Sequence, residues 1–249
     1  MNWKLSSWLL VALLVLMAGA RTVRPAEKPV NQVLVLDGGC CHEWDKISPL
    51  IQELLESTGA FEVTITSDRD YLLPENISAF DQVILTTQGG VISEEQKAGL
   101  LGFVKSGGGL TVNHAAAGAF RESDDGAVEY FRMLGGKFIS HQYKKFRVEM
   151  EDPDHPITRN LDAFEIEDED YTHEHYPESH IHVLLRRSDD NEPVSWVREY
   201  GKGRIFYIAL GHKAEAWNNR TFQKILVRGV FWTADMPARP LPSRMPLYR

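Results

Sequence analysis

Cysteine is almost absent from this chain. The two that occur, Cys40 and Cys41, are neighbours among 249 residues. An ordinary disulfide between adjacent residues is geometrically awkward. We therefore expect no disulfide framework and a fold held by core packing alone. The pair reads as small, semi-buried hydrophobes, with a reactive dyad alongside His42 as the alternative. Positive charge is also scarce: 27 Lys and Arg stand against 35 Asp and Glu, a formal net charge of −8. That argues against a nucleic-acid partner. No HExxH, paired CxxC, internal repeat or second-domain linker occurs, so any metal site has to be assembled from distant loops.

Long apolar runs are missing as well. Trp8 to Met17 is continuously apolar but too short to span a bilayer comfortably. With Lys4 before it and Ala18-Gly19-Ala20 after it, residues 1–20 read as a secretory signal peptide, with an uncleaved anchor as the alternative. The mature protein is then expected to be exported, periplasmic or secreted, with no stable membrane span. Residues 21–30 form a polar linker, 31–235 one domain, and 236–249 a tail holding four of the twelve prolines that is expected to lie extended on the surface.

Within 31–235, short apolar runs alternate with helical spacing. Residues 32–36 (QVLVL), 61–65, 80–86 and 110–113 read as strands. Ile47, Leu50, Ile51, Leu54 and Leu55 mark a helix closed by Gly59. Ser93 to Gln96 is a capping box that opens another, running to about Lys105. This alternation predicts right-handed crossovers and a doubly wound, mostly parallel sheet. The second half predicts a helix over 128–134, strands over 146–150, 182–185, 194–197 and 204–210, a hairpin turn at 201–204, and a closing helix over 222–234. The acidic, His-rich segment 165–175 is expected to be mainly a solvated loop, because blocks of charge usually face water. His173 and His175 would share a face if extended, as would His180 and His182.

The most informative stretch is FVKSGGGLTVNHAAAGAF, residues 103–120. A buried strand that stops at a polar residue and turns on small side chains is the geometry of a nucleophile elbow. Here the elbow holds His114. Ligands in an open parallel sheet bind beyond the carboxyl ends of its strands. Three loops at that rim carry a histidine: His42, His114 and His212. Three imidazoles make a metal site with an open position, or serve metal-free acid–base chemistry oriented by Asp37 or Glu169. His141 is a further candidate ligand, and zinc is the candidate divalent metal. Trp44 and Trp217, beside two of these histidines, suit the apolar faces of sugar rings, with ordinary packing as the alternative. His155, in a DPDHP turn, reads as structural.

The ordered motifs GGGLTVNHAA, GGKFISHQ, DPDHPIT, DEDY and GKGRIFYIALGH resemble the ThuA-like (trehalose utilisation) family over about residues 31 to 235. That family resembles the class I glutamine amidotransferase fold, so the resemblance implies a flavodoxin-like α/β domain with extra strands in its second half. His114 then occupies the place of the amidotransferase Cys, and His212 that of its catalytic His. The chain departs from the usual wording at Asn113, where Gly commonly precedes the elbow histidine. Without a thiolate at the elbow, glutamine amide transfer has no nucleophile. The resemblance implies a carbohydrate substrate, a disaccharide or a keto-sugar. His114, His212 and Glu169 are the candidate catalytic groups, of hydrolase or isomerase type. Asp37, His42, Trp44, Tyr171 and Trp217 are candidate substrate contacts, and His42, His114, His141 and His212 candidate metal ligands. The alternative is a non-catalytic carbohydrate-binding or scaffold domain on the same fold.

Overall fold

The apolar runs that lack alternation become the middle of one large sheet. A computed structural model describes residues 30–242 and 246–248; the signal-peptide and linker expectations fall on residues outside these, but for Val30. The strands are β1 (Asn31–Leu36), β2 (Phe61–Thr66), β3 (Gln82–Leu85), β4 (Gly109–Asn113), β5 (Gly136–Ser140), β6 (Tyr143–Met150), β7 (Phe164–Glu169), β8 (Thr172–His175), β9 (His182–Arg187), β10 (Pro193–Tyr200) and β11 (Gly203–Ile208). The helices are α1 (Trp44–Glu56), α2 (Pro74–Ile77), α3 (Glu94–Ser106), α4 (Val128–Leu134), α5 (Ala214–Trp217) and α6 (Arg220–Thr233).

Nine strands form one sheet in the order β2-β1-β3-β4-β11-β10-β9-β6-β7, and β5 pairs with β8 in a small second sheet. The first five strands are parallel, and the extra strands of the second half continue the sheet antiparallel. Burial follows this division. Every residue of β3 and β4 is buried, whereas β6 alternates between exposed and covered positions. A strand covered on both faces needs apolar side chains throughout, and one with a wet face needs only half. Helices α1 and α6 touch each other, as do α2 and α3, and α3 and α4. The expected capping box is formed, Ser93 and Gln96 each bonding the other's backbone.

Three expectations need correction. Cys40 and Cys41 are exposed and joined to each other in a vicinal disulfide; the left-handed backbone of Cys41, φ 75°, accommodates the turn. The acidic segment is not mainly a solvated loop. It supplies β7 and β8, and Asp168, Glu169, Asp170 and His173 are all buried. Local charge density misled because each of these groups has a specific partner. His180 and His182 do not share an extended face, because His180 turns into the left-handed region at φ 48°. The tail is tied to the body by two contacts: the Pro246 carbonyl accepts from Gln223 Nε2, and Tyr248 Oη donates to Glu43.

Close backbone approach makes Gly99 of α3 a sensitive position. A Cβ there would lie 2.0 Å from the Leu72 carbonyl oxygen. Alanine improves helix propensity by about 1 kcal/mol, but overpacking of this kind costs about 1–3 kcal/mol. Gly99→Ala is therefore expected to lower stability, read as a lower urea midpoint with an unchanged m-value.

Candidate functional site

Each of the three rim histidines is set by its loop. Leaving β1, the chain turns so close to Gln88 that a Cβ on Gly39 would lie 2.1 Å from the Gln88 carbonyl oxygen. That turn delivers the disulfide, His42 and Trp44, whose ring stacks on the His42 imidazole at 4.8 Å between centroids. Leaving β4, His114 takes the strained left-handed backbone expected of an elbow, φ 46°, and a 3-10 turn of small residues follows to Gly118. Such strain costs on the order of 1 kcal/mol and persists only where the surroundings hold it. Leaving β11, the backbone N–H groups of Gly211 and His212 both donate to the Asp168 carboxylate.

The three imidazoles converge on Glu169 at the end of β7. Glu169 Oε2 lies 3.3 Å from His114 Nε2 and 3.4 Å from His212 Nδ1. His42 Nε2 lies 3.2 Å from His212 Nδ1. One donor atom from each of the four residues falls within a single 4.8 Å cluster. Glu169 Oε1 turns the other way, to His141 Nδ1 at 3.4 Å. His141 is therefore tied to the centre through Glu169 and lies outside the four-atom group. The four-atom group thus has Glu169 where the sequence suggested His141.

Proton positions follow from the outer partners. A carbonyl oxygen only accepts, so His114 Nδ1, 2.6 Å from Ala209 O, carries a proton, and so does His42 Nδ1, 3.3 Å from Cys40 O. This fixes which nitrogen faces inward. Burial and then the neighbouring His114 push the His42 imidazole down to about 4, and the same two causes bring His212 to about 4. Burial raises the Glu169 carboxyl, but hydrogen bonding and charge from His114, then charge from His212 and His141, outweigh it and hold it at about 2. Glu169 is therefore ionised at neutral pH, and its Oε2 and the inner nitrogens of His42, His114 and His212 are gathered in one cluster.

These four donor atoms could hold a divalent cation. Ligands bound tetrahedrally at 2.0–2.2 Å lie about 3.3 Å from one another. The three inner contacts measure 3.2, 3.3 and 3.4 Å. Three imidazoles and one carboxylate suit zinc or a neighbouring first-row metal.

The other candidate residues divide into two groups. Tyr171 belongs to the centre: its ring stacks on His114 at 4.4 Å, and its hydroxyl lies 3.3 Å from His114 Nε2. Burial raises its pKa, then the nearby carboxylates of Glu169 and Asp168, so it stays an O–H donor. Trp44 lies at the rim with its ring on His42. Asp37 is occupied elsewhere, accepting from the Ser48 and Ser67 hydroxyls, and braces its loop. Trp217 is fully buried against Phe222, with its indole N–H on the Gly211 carbonyl. It offers no face to a sugar and instead supports the turn before His212. Sequence reasoning missed Asp168 as a positioning residue. Its presence in the DEDY motif was visible, but its two backbone partners lie more than forty residues away.

The fold and rim define the class: a flavodoxin-like α/β protein with histidine at the elbow where related folds place a nucleophile. The ThuA family, described as trehalose utilisation, matches residues 32–233, and the chain belongs to that family. It is similar to the crystal structure of a ThuA-like protein from Parabacteroides merdae ATCC 43184, at 22% identity over 89% of this chain and 98% of that one, TM-score 0.75. A ThuA-like protein from Bacteroides uniformis ATCC 8492 shares 20% identity over 85% and 94% of the two chains, TM-score 0.67. A cold-adapted β-galactosidase from Rahnella sp. R3 shares the fold over 33% of its own length and 86% of this chain, at 16% identity and TM-score 0.60. No curated protein matches the chain.

Two outcomes are expected. Asp168→Asn leaves only one oxygen for two N–H donors, so divalent-metal affinity, read by calorimetric titration, falls about 10–100-fold. In chelator-treated protein, the unfolded chain protonates His42 and His212 near 6.5 while the folded one resists to about 4. Stability is then complete above 6.5 and declines as pH falls towards 4. Melting temperatures across this window should fall less steeply in the His42→Gln, His212→Gln double variant.

Proposed function

We propose that this protein is an exported, metal-assisted enzyme that acts on a disaccharide or keto-sugar. The observation that carries the chemical part is the set of four converging donor atoms of His42, His114, His212 and Glu169, all within 4.8 Å of one another. The substrate class rests on membership of the trehalose-utilisation family. A divalent ion held there would supply Lewis acidity to a sugar carbonyl or hydroxyl taken as a fifth ligand. Around it, ionised Glu169 holds the ion, and half-exposed His141 against its other oxygen moves protons between the centre and the rim. The Tyr171 hydroxyl stays protonated and donates to a substrate oxygen beside His114.

The rim suits a sugar. Trp44 and Tyr143 stand beside His42 and His212, and Lys213 lies over the Tyr143 ring. Apolar ring faces with polar edges match the two kinds of surface on a pyranose. Amide transfer from glutamine is not supported, since the elbow carries His114 and both cysteine sulfurs are tied to each other. A purely binding domain would leave its imidazoles splayed and solvated; here the side chains of His114 and His212 are 2% and 15% exposed.

The test is metal analysis of untagged protein purified without chelator, with turnover of a panel of disaccharides and their keto derivatives. His114→Ala is expected to lose the metal at this centre and to slow turnover on the order of 100-fold or more. A folded His114→Ala protein that keeps full activity and ignores chelators would overturn the proposal.

A further inference from the structure

The small sheet carries a second group of imidazoles. His173 and His175 lie two residues apart on β8, so both side chains leave the same face. Across from them stands Glu192, in the turn between β9 and β10. His173 is wholly enclosed, whereas His175 keeps 30% of its side chain exposed. Glu192 Oε1 lies 2.9 Å from His173 Nδ1 and 3.5 Å from His175 Nε2, and the three donor atoms fall within one 4.8 Å cluster.

Hydrogen bonding alone leaves this group incomplete. Glu192 Oε1 accepts from the His173 backbone N–H, and His173 Nε2 lies 2.8 Å from the Tyr207 hydroxyl. Yet both ring nitrogens of His175 are sealed from water without a hydrogen-bond partner. A buried polar atom with no partner calls for an explanation, and an absent ion is one of the few available.

We propose that His173 Nδ1, His175 Nε2 and Glu192 form a second divalent-metal site, of the two-histidine, one-carboxylate kind that zinc accepts. Tetrahedral ligand atoms lie about 3.3 Å apart, between the two distances found here. Metal on Nδ1 leaves the His173 proton on Nε2, where the Tyr207 hydroxyl oxygen accepts it, so the same 2.8 Å contact becomes the outer bond that orients the ligand. The ion would clamp β8 to the β9–β10 turn. Tyr171 leads into β8 and His141 follows its partner β5, so this clamp fixes the small sheet that holds both at the first centre.

The site is independent of the function proposed above, and one experiment separates them. Full-length protein is stripped with chelator and titrated with Zn2+ by calorimetry and with Co2+ by visible absorption. Wild type is expected to bind two equivalents. His175→Gln and Glu192→Gln should each lose one equivalent, or bind it at least 100-fold more weakly, while keeping the other. The His114→Gln, His212→Gln variant should keep the equivalent that His175→Gln loses. Melting curves in chelator check that each variant folds. One equivalent retained in the His114→Gln, His212→Gln variant and lost in His175→Gln supports this site even if the first centre binds nothing. Wild-type stoichiometry and affinity in both His175→Gln and Glu192→Gln, or only millimolar binding at this site in wild type, would overturn it.

Discussion

The parallel pairing of β4 with β11 is the constraint on which the site depends. Its register sets Ile208 opposite Asn113, so the two strands end side by side. Two side chains extend the pairing beyond the last ladder bond: Asn113 Nδ2 donates to Leu210 O at 2.8 Å, and His114 Nδ1 donates to Ala209 O at 2.6 Å. Each contributes only about 1 kcal/mol net, but together they fix the separation of the two loops that carry His114 and His212. Asn113 thus has a definite task, since a glycine there would lack the side chain that ties β4 to β11.

The second requirement is electrostatic. Asp168 and Glu169 are adjacent acids at the end of a strand, and both are buried. Burying a carboxylate without compensation is costly. Asp168 is compensated by two backbone N–H groups and Glu169 by imidazoles. Their alternation sends one carboxylate to the backbone of the His212 loop and the other to the centre itself. Fixing the loop and supplying the anion are therefore one local feature of β7, and the loop cannot shift without disturbing both.

Much of the fold was legible because burial on both faces leaves an uninterrupted apolar run. Residues 32–36, 110–113 and 204–210 are such runs, and their strands match within two residues at each end. The convergence of His42, His114 and His212 was legible from strand order, since histidines placed after parallel strands share one rim. Other features were hidden for stated reasons. The roles of Trp217 and Asp37 could not be read because their partners, Gly211 for one and Ser48 and Ser67 for the other, are set by tertiary packing. The vicinal disulfide was missed because the left-handed backbone that admits it has no mark in composition. The strands β7 and β8 were missed because average charge conceals a period of two.

That period links the two imidazole groups. Glu169, Tyr171, His173 and His175 occupy alternate positions of one nearly continuous extended segment running from β7 into β8. Tyr171 lies between Glu169 and His173 in the short link from β7 to β8. Tyr171 stacks on His114 at 4.4 Å and meets His173 edge-on at 6.2 Å. The intervening positions carry Asp170, which accepts from the Gln142 backbone N–H and pairs with Lys144, and Glu174 on the exposed side. A substitution that shifted this segment by one residue would turn all four alternate side chains away together. The acidic stretch that composition alone assigns to solvent is thus the structural link between the elbow histidine and the small sheet.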